Sequence, residues 1–159
     1  MATIADLLAE GSIDLSLSAG NKNDTIERMV DLIGASGALV HRDVLLKAVR
    51  AREDVGTTGL GDGIAIPHGK CDGVDRPALA FARSDEGVDW GAPDGSLANL
   101  VFLIAVPAAA AGNEHLRILA SLARNLVKAD FRNRLMSAST PQEVRAVLEG
   151  INARSEEHT

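Results

Sequence analysis

The chain has 159 residues, enough for one domain with a single substantial core. Apolar residues make up 46% and charged residues 24%, an ordinary globular mix, while aromatics are scarce at 3%, so Leu, Ile, Val and Ala must carry the packing. A net charge of −6 argues against nucleic acid or an anionic membrane as the main partner and suits a partner with a basic patch.

The lone Cys71 excludes an internal disulfide and suggests a reducing compartment. Met1 is followed by neither a basic start nor a long apolar core, so no signal peptide is expected. The longest apolar run, residues 100–111, includes Pro107 and is too short to span a membrane. These cues predict a cytoplasmic protein with no direct membrane insertion.

In chain order, Ile13, Leu15 and Leu17 alternate with polar neighbours and predict a first strand. Asp24 and Glu27 read as a capping-box pair opening a helix with Ile26, Met29, Val30 and Ile33 inward, ended by Gly34 or Gly37. A second helix is predicted over residues 41–53, with Val44, Leu45, Ala48 and Val49 inward. A glycine-rich loop and a short strand at 64–66 follow. Strands are predicted at 78–82 and 100–106, the latter buried on both faces, with a turn at Pro93-Asp94-Gly95 between them. Asn113 reads as the cap of a third helix over 114–128, carrying Ile118, Leu119, Leu122 and Leu126 on one stripe. Thr140, Pro141 and Glu143 supply a cap, an N1 proline and an N3 acid for a last helix. Alternating helices and strands predict a single α/β domain over residues 1–153, with a polar, disordered tail at 154–159.

The most informative stretch is Thr58-Gly59-Leu60-Gly61-Asp62-Gly63-Ile64-Ala65-Ile66-Pro67-His68-Gly69-Lys70. Pro67 fixes its own φ, lacks an N–H and pushes Ile66 toward extended geometry, so the strand should stop there and deliver His68 to the sheet's rim. Neutral imidazole is a nucleophile near neutral pH, and the free nitrogen is the one whose partner nitrogen donates elsewhere. Backbone N–H groups of such a loop can cradle a phosphoryl group. Spacing alone leaves open a bland reading, in which the histidine only caps a strand.

Residues 52–69, from Arg52-Glu53-Asp54 to Pro67-His68-Gly69, resemble the active-site signature of the IIA proteins of the bacterial phosphoenolpyruvate:sugar phosphotransferase system, fructose–mannitol family. Asn113-Glu114-His115 is similar to that family's second site motif. Residues 77–84, Gly87-Val88-Asp89-Trp90 and residues 101–107 are similar to its fructose branch, and the likeness runs over roughly residues 4–150. The resemblance implies a single α/β domain with a mixed, about five-stranded sheet flanked by helices on both faces. It implies that His68 accepts a phosphoryl group, on Nε2, from the phosphohistidine of HPr. The group then passes to a cysteine of a IIB component, which phosphorylates a sugar entering through membrane IIC. The implied sugar is fructose. Phosphoenolpyruvate is the upstream donor, and no metal or cofactor is implied.

Two further residues are candidates. His115 falls near a helix N-terminus, which disfavours imidazolium, so a neutral ring can donate to a phosphoryl oxygen. Read from its own surroundings it is a core-edge histidine satisfied by backbone, and the family match is what implies the site. Arg52 ends the second helix, and its guanidinium can grip phosphate oxygens through two N–H groups. Lys47 and Arg50 lie on the same helix, and only position in the family motif singles out Arg52. His41 and His158 carry no expected role, Cys71 and Asp62 read as incidental, and Trp90 reads as packing. The nitrogen-regulatory branch, which uses the same histidine to gate binding to other proteins, is the alternative reading. A metal-dependent hydrolase would need a third ligand beyond His68 and His115.

Overall fold

The structure, a computed structural model, describes residues 4–109 and 114–151, with the backbone alone at residues 114 and 115. A short 3-10 turn at Ala5–Leu7 leads into β1 (Leu8–Asp14). The strand starts ahead of the predicted alternation and holds Ile13 but neither Leu15 nor Leu17. Its register against β5 (Ala78–Val88) slips between Leu8 and Ile13, so its own burial does not follow a period of two.

Next comes α1 (Lys22–Gly34), capped by Asn21. The Asn21 side chain accepts from the Asp24 N–H at 2.8 Å and donates to the Asp24 carboxylate at 3.1 Å. The capping pair is thus Asn21 with Asp24, three residues ahead of the predicted one. Glu27 is left on the helix surface, where it accepts from Arg50 at 2.8 Å. The predicted face, Ile26, Met29, Val30 and Ile33, is buried as expected. In α2 (Arg42–Val55), Leu45, Leu46 and Val49 are buried, while Val44, predicted inward, is 41% exposed.

The remaining elements are β2 (Gly59–Gly61), β3 (Ile64–Ala65), β4 (His68–Cys71), β6 (Ala98–Pro107), α3 (Glu114–Leu126), α4 (Ala129–Ser137) and α5 (Pro141–Leu148). α5 starts as predicted, with the Thr140 hydroxyl accepting from the Glu143 N–H at 3.1 Å. α4 has no counterpart in the sequence reading. Its residue before the first turn, Lys128, makes no capping bond, and only Phe131 and Leu135 are buried, too few to mark a period. Asn113 and the tail at 154–159 lie outside the described residues.

The sheet runs in the order β1-β5-β6-β3-β2, with β4 also on β6. β5 and β6 are antiparallel, as are β2 and β3; the other pairs are parallel. Ile64 pairs Leu100, Ala65 pairs Val101 and His68 pairs Ile104, so β3 and β4 keep one register along β6, interrupted only at Ile66 and Pro67. Counted that way the mixed sheet has five strand lines, as expected. His68 consequently opens a second strand segment, where the sequence reading ends the strand at Pro67.

Strand alternation splits the core into two layers. Leu79, Phe81, Leu100, Phe102 and Ile104 face α3, α4 and α5, with the Phe81 and Phe102 rings 4.7 Å apart. Ala78, Ala80, Ala82, Val101, Leu103 and Ala105 face α1 and α2. The alanines on that face leave room for helices to pack close. Among the described residues no helix is long and apolar enough to cross a membrane.

Two loops lock this frame. The Gly73 carbonyl accepts from the N–H groups of Val40 (2.7 Å) and His41 (3.0 Å), and a Cβ there would lie 2.8 Å from the His41 carbonyl and the Leu45 nitrogen. We expect Gly73→Ala to cost about 1–3 kcal/mol in denaturant unfolding, because backbone of α2 must shift. At the β2–β3 turn, the Asp94 carboxylate accepts first from the Asp62 N–H at 2.9 Å and then from the Ser96 N–H at 2.9 Å. These bonds lower its pKa to about 2. A depressed carboxyl contributes stability that is complete above the ordinary carboxylate value of about 4 and is lost as pH falls toward about 2. The unfolding midpoint of Asp94→Asn should therefore fall less than that of wild type between those two pH values.

Candidate active site

β4 is an edge strand beyond the end of β2, with α2 on one face of the sheet and α3 on the other. Side chains alternate along it, so His68 and Lys70 point one way and Gly69 the other. Gly69 faces α2: a Cβ there would meet Val49 Cγ2 at 3.1 Å and Ala48 Cβ at 3.3 Å. Its lack of a side chain admits the helix. A cleft of about 450 Å³ opens at this edge, lined by Ala48, Arg52, His68, Gly69, Lys70, Leu116 and Leu119.

The His68 ring is half-buried and oriented by one bond. Its Nδ1 lies 3.0 Å from the Ile66 carbonyl oxygen. A carbonyl only accepts, so in the neutral ring Nδ1 carries the hydrogen and Nε2 keeps the lone pair. The Ile66 N–H in turn donates to the Thr58 carbonyl at 3.1 Å. Both polar groups of Ile66 thus serve the outer edge of the sheet, one to β2's approach and one to the ring.

Arg52 lines the same cleft but is engaged with its own helix end, Nη1 donating to the Gly56 carbonyl at 2.7 Å. Lys70, which sequence reading passed over, is the cleft's second cation. The alternation that puts it beside His68 was hidden because no strand was predicted over residues 68–71. The described lining holds two cations and no carboxylate, in a chain of net charge −6. Such a lining favours an anion over a cation. Residue 115 is the second of α3 and precedes Leu116 in the cleft wall; the His115 side chain lies outside the described residues.

The other expectations sort as follows. Ile64 and Ile66 are core residues, while Leu60 is half exposed on β2. Asp62 stands at the hairpin tip with φ of 55° between Gly61 and Gly63, also at positive φ, which is a turn role. Cys71 is half-buried at the far end of β4, where burial raises its thiol pKa and its Sγ accepts from the Gly73 N–H. Trp90 packs in the core, 1% exposed, yet its Nε1 donates to both the Glu53 carboxylate and the Thr58 hydroxyl. His41 precedes α2 without a side-chain capping bond. Among the described residues no group of three His, Cys, Asp or Glu side chains is placed to hold a metal.

A family model described as "Phosphoenolpyruvate-dependent sugar phosphotransferase system, EIIA 2" matches residues 6–151. The fructose-specific EIIA component of Haloferax volcanii is 45% identical over 136 residues, covering 86% of this chain and 88% of that one. Two longer curated relatives are matched over 23% of their length each. The crystal structure of nitrogen regulatory protein IIA-Ntr from Neisseria meningitidis superposes with a TM-score of 0.80 at 36% identity, covering 91% of this chain and 98% of that one. The complex of mannitol enzyme IIA with phosphorylated enzyme IIB from Escherichia coli gives a TM-score of 0.77 at 28% identity, covering 91% and 99%. This chain belongs to the EIIA 2 family of the phosphoenolpyruvate-dependent sugar phosphotransferase system, as a phosphotransferase component.

Proposed function

We propose that the chain is a phosphocarrier for sugar uptake, fructose being the sugar, with His68 as the phosphoacceptor. The observation that carries this reading is the His68 Nδ1 bond to the Ile66 carbonyl in a cationic cleft. It leaves Nε2 as the nucleophile. The phosphohistidine of an HPr-type protein is the donor. The Nε2 lone pair attacks its phosphorus, an N–P bond forms, and the N–P bond to the donor breaks with the electron pair returning to the donor's ring. His68 gains positive character as it bonds phosphorus, and the Ile66 carbonyl stabilises it through Nδ1–H. Onward transfer reverses the events: a thiolate of a IIB component attacks phosphorus and the ring recovers its lone pair.

Phosphoryl transfer depends mostly on positioning and on neutralising oxygen charge. Arg52 supplies a guanidinium, released from the Gly56 carbonyl, and His115 supplies a hydrogen bond to a phosphoryl oxygen. The apolar wall formed by Ala48, Leu116 and Leu119 excludes water and offers a partner a contact surface. The complex of the mannitol IIA relative with a phosphorylated IIB supports a IIB partner. The Haloferax relative supports fructose as the sugar.

A second reading is favoured by the likeness to IIA-Ntr: the same phosphorylation controls binding to other proteins. Transfer from the phosphorylated chain to a fructose-type IIB decides for the relay; acceptance without onward transfer decides for regulation.

Incubation with phosphoenolpyruvate, enzyme I and HPr should add one phosphoryl mass to wild type and none to His68→Ala, with the variant folded by circular dichroism. Labelling retained in His68→Ala overturns the assignment. His115→Ala should still accept the group but pass it to IIB at least about tenfold more slowly, the loss expected of one oxygen contact. Stopped-flow transfer at the wild-type rate rejects that role.

A further inference from the structure

We propose that Glu53 is a positioning residue for His68, acting through Thr58 and Ile66; the proposal deepens the phosphoacceptor reading and rests on it for its functional consequence. The Glu53 side chain is 6% exposed and receives donors from three parts of the chain. Lys22 Nζ, on α1, reaches it at 2.7 Å. The Thr58 N–H donates to it at 3.2 Å and the Thr58 hydroxyl donates to its other oxygen. Trp90 Nε1 adds a bond at 3.3 Å while also bonding the Thr58 hydroxyl at 3.0 Å. Both backbone and side chain of Thr58 are therefore held by one carboxylate at the end of α2.

From Thr58 the constraint runs on without a gap. Its carbonyl holds the Ile66 N–H at 3.1 Å, and the Ile66 carbonyl holds His68 Nδ1 at 3.0 Å. Thr57 reinforces the same turn, its hydroxyl donating to the Trp90 carbonyl at 2.5 Å and accepting from the Gly59 N–H at 3.0 Å. Displacing Thr58 moves Ile66, and moving Ile66 frees the ring to turn or to carry its hydrogen on Nε2. A ring protonated on Nε2 has no nucleophile facing the cleft. Arg52, one residue earlier, holds Gly56. The two neighbours at the end of α2 thus set both ends of the connection to β2.

A purely structural role explains this less well. Burying an ion pair costs desolvation that its attraction roughly offsets, so a packed apolar pair would hold the loop as firmly. What a carboxylate adds is direction: two oxygens fix the orientation of a backbone N–H, a hydroxyl and an indole N–H together.

The test uses the full chain with Glu53→Ala and Glu53→Gln, beside Lys22→Met as a stability control that keeps Glu53 on Thr58. Imidazole 15N shifts of His68, at the alkaline end of its titration, read the tautomer directly. Wild type and Lys22→Met should show hydrogen on Nδ1. Glu53→Ala should show a substantial Nε2–H population and accept phosphate about tenfold or more slowly, with Glu53→Gln between the two. If Glu53→Ala fails to fold, Glu53→Gln alone carries the comparison. Tautomer and rate in the folded Glu53 variants that match Lys22→Met overturn the proposal and leave Glu53 structural. If wild type takes no phosphate from HPr, the phosphocarrier reading fails, and the 15N shifts still decide whether Glu53 orients the ring.

Discussion

The Ile66 carbonyl leaves the sheet on its outer edge, where β2 has ended, and it would face solvent if the chain simply continued. A backbone acceptor half inside a protein must find a donor. The next residue is proline and offers none, so the acceptor is met two residues on by the ring of His68. That single bond fixes the ring's plane and tautomer. It follows from the strand's geometry: Ile66 presents its N–H and its carbonyl to the same edge, the first toward Thr58 and the second toward His68. A strand that kept pairing past Ile66 would have spent the carbonyl on its neighbour and left the imidazole to rotate.

Placing the histidine on an edge strand also settles what surrounds it. An edge next to two helices on opposite faces is a cleft by construction, and here α2 and α3 supply its walls. Gly69 lets α2 approach β4, which brings Ala48 and Arg52 to the histidine. The described lining of the cleft holds no carboxylate, so a protein of net charge −6 presents a local positive site there. An anionic group is drawn to the cleft while the net charge disfavours it elsewhere on the surface.

Much of this was legible in the sequence because it rests on local chemistry. Pro67 and the flanking glycines mark the break in the strand. The stripes of α1 and α3 and the cap of α5 are set by spacing. The apolar run of β6 announced a strand buried on both faces. Features that depend on distant partners were not legible. Nothing local says that residues 68–71 resume the register of β3, because the partner that imposes it is β6, some 36 positions away in the pairing. Val44 fails as a core residue because the sheet covers α2 on the side of Leu45 and Val49. α4 carries too few apolar anchors to show a period. Asn21 outcompeted Asp24 as a cap since its side chain both accepts and donates at the helix start. Lys70 was hidden with β4.

Glu53 illustrates the same limit from the other side. It stands inside the motif that made the chain recognisable, yet a glutamate at a helix end reads as surface charge. Its role emerges only when Lys22, Thr58 and Trp90, spread over 68 positions, converge on it. Trp90 then ceases to be only a packing residue: its indole fills the core while its N–H completes the carboxylate's shell. The core and the site are therefore joined through one buried polar cluster, and the aromatic that anchors α1 to the sheet edge also holds the turn that orients His68. Such coupling lets a small domain with 3% aromatics hold one imidazole in a fixed orientation on an edge strand, the part of a sheet that is least constrained by pairing.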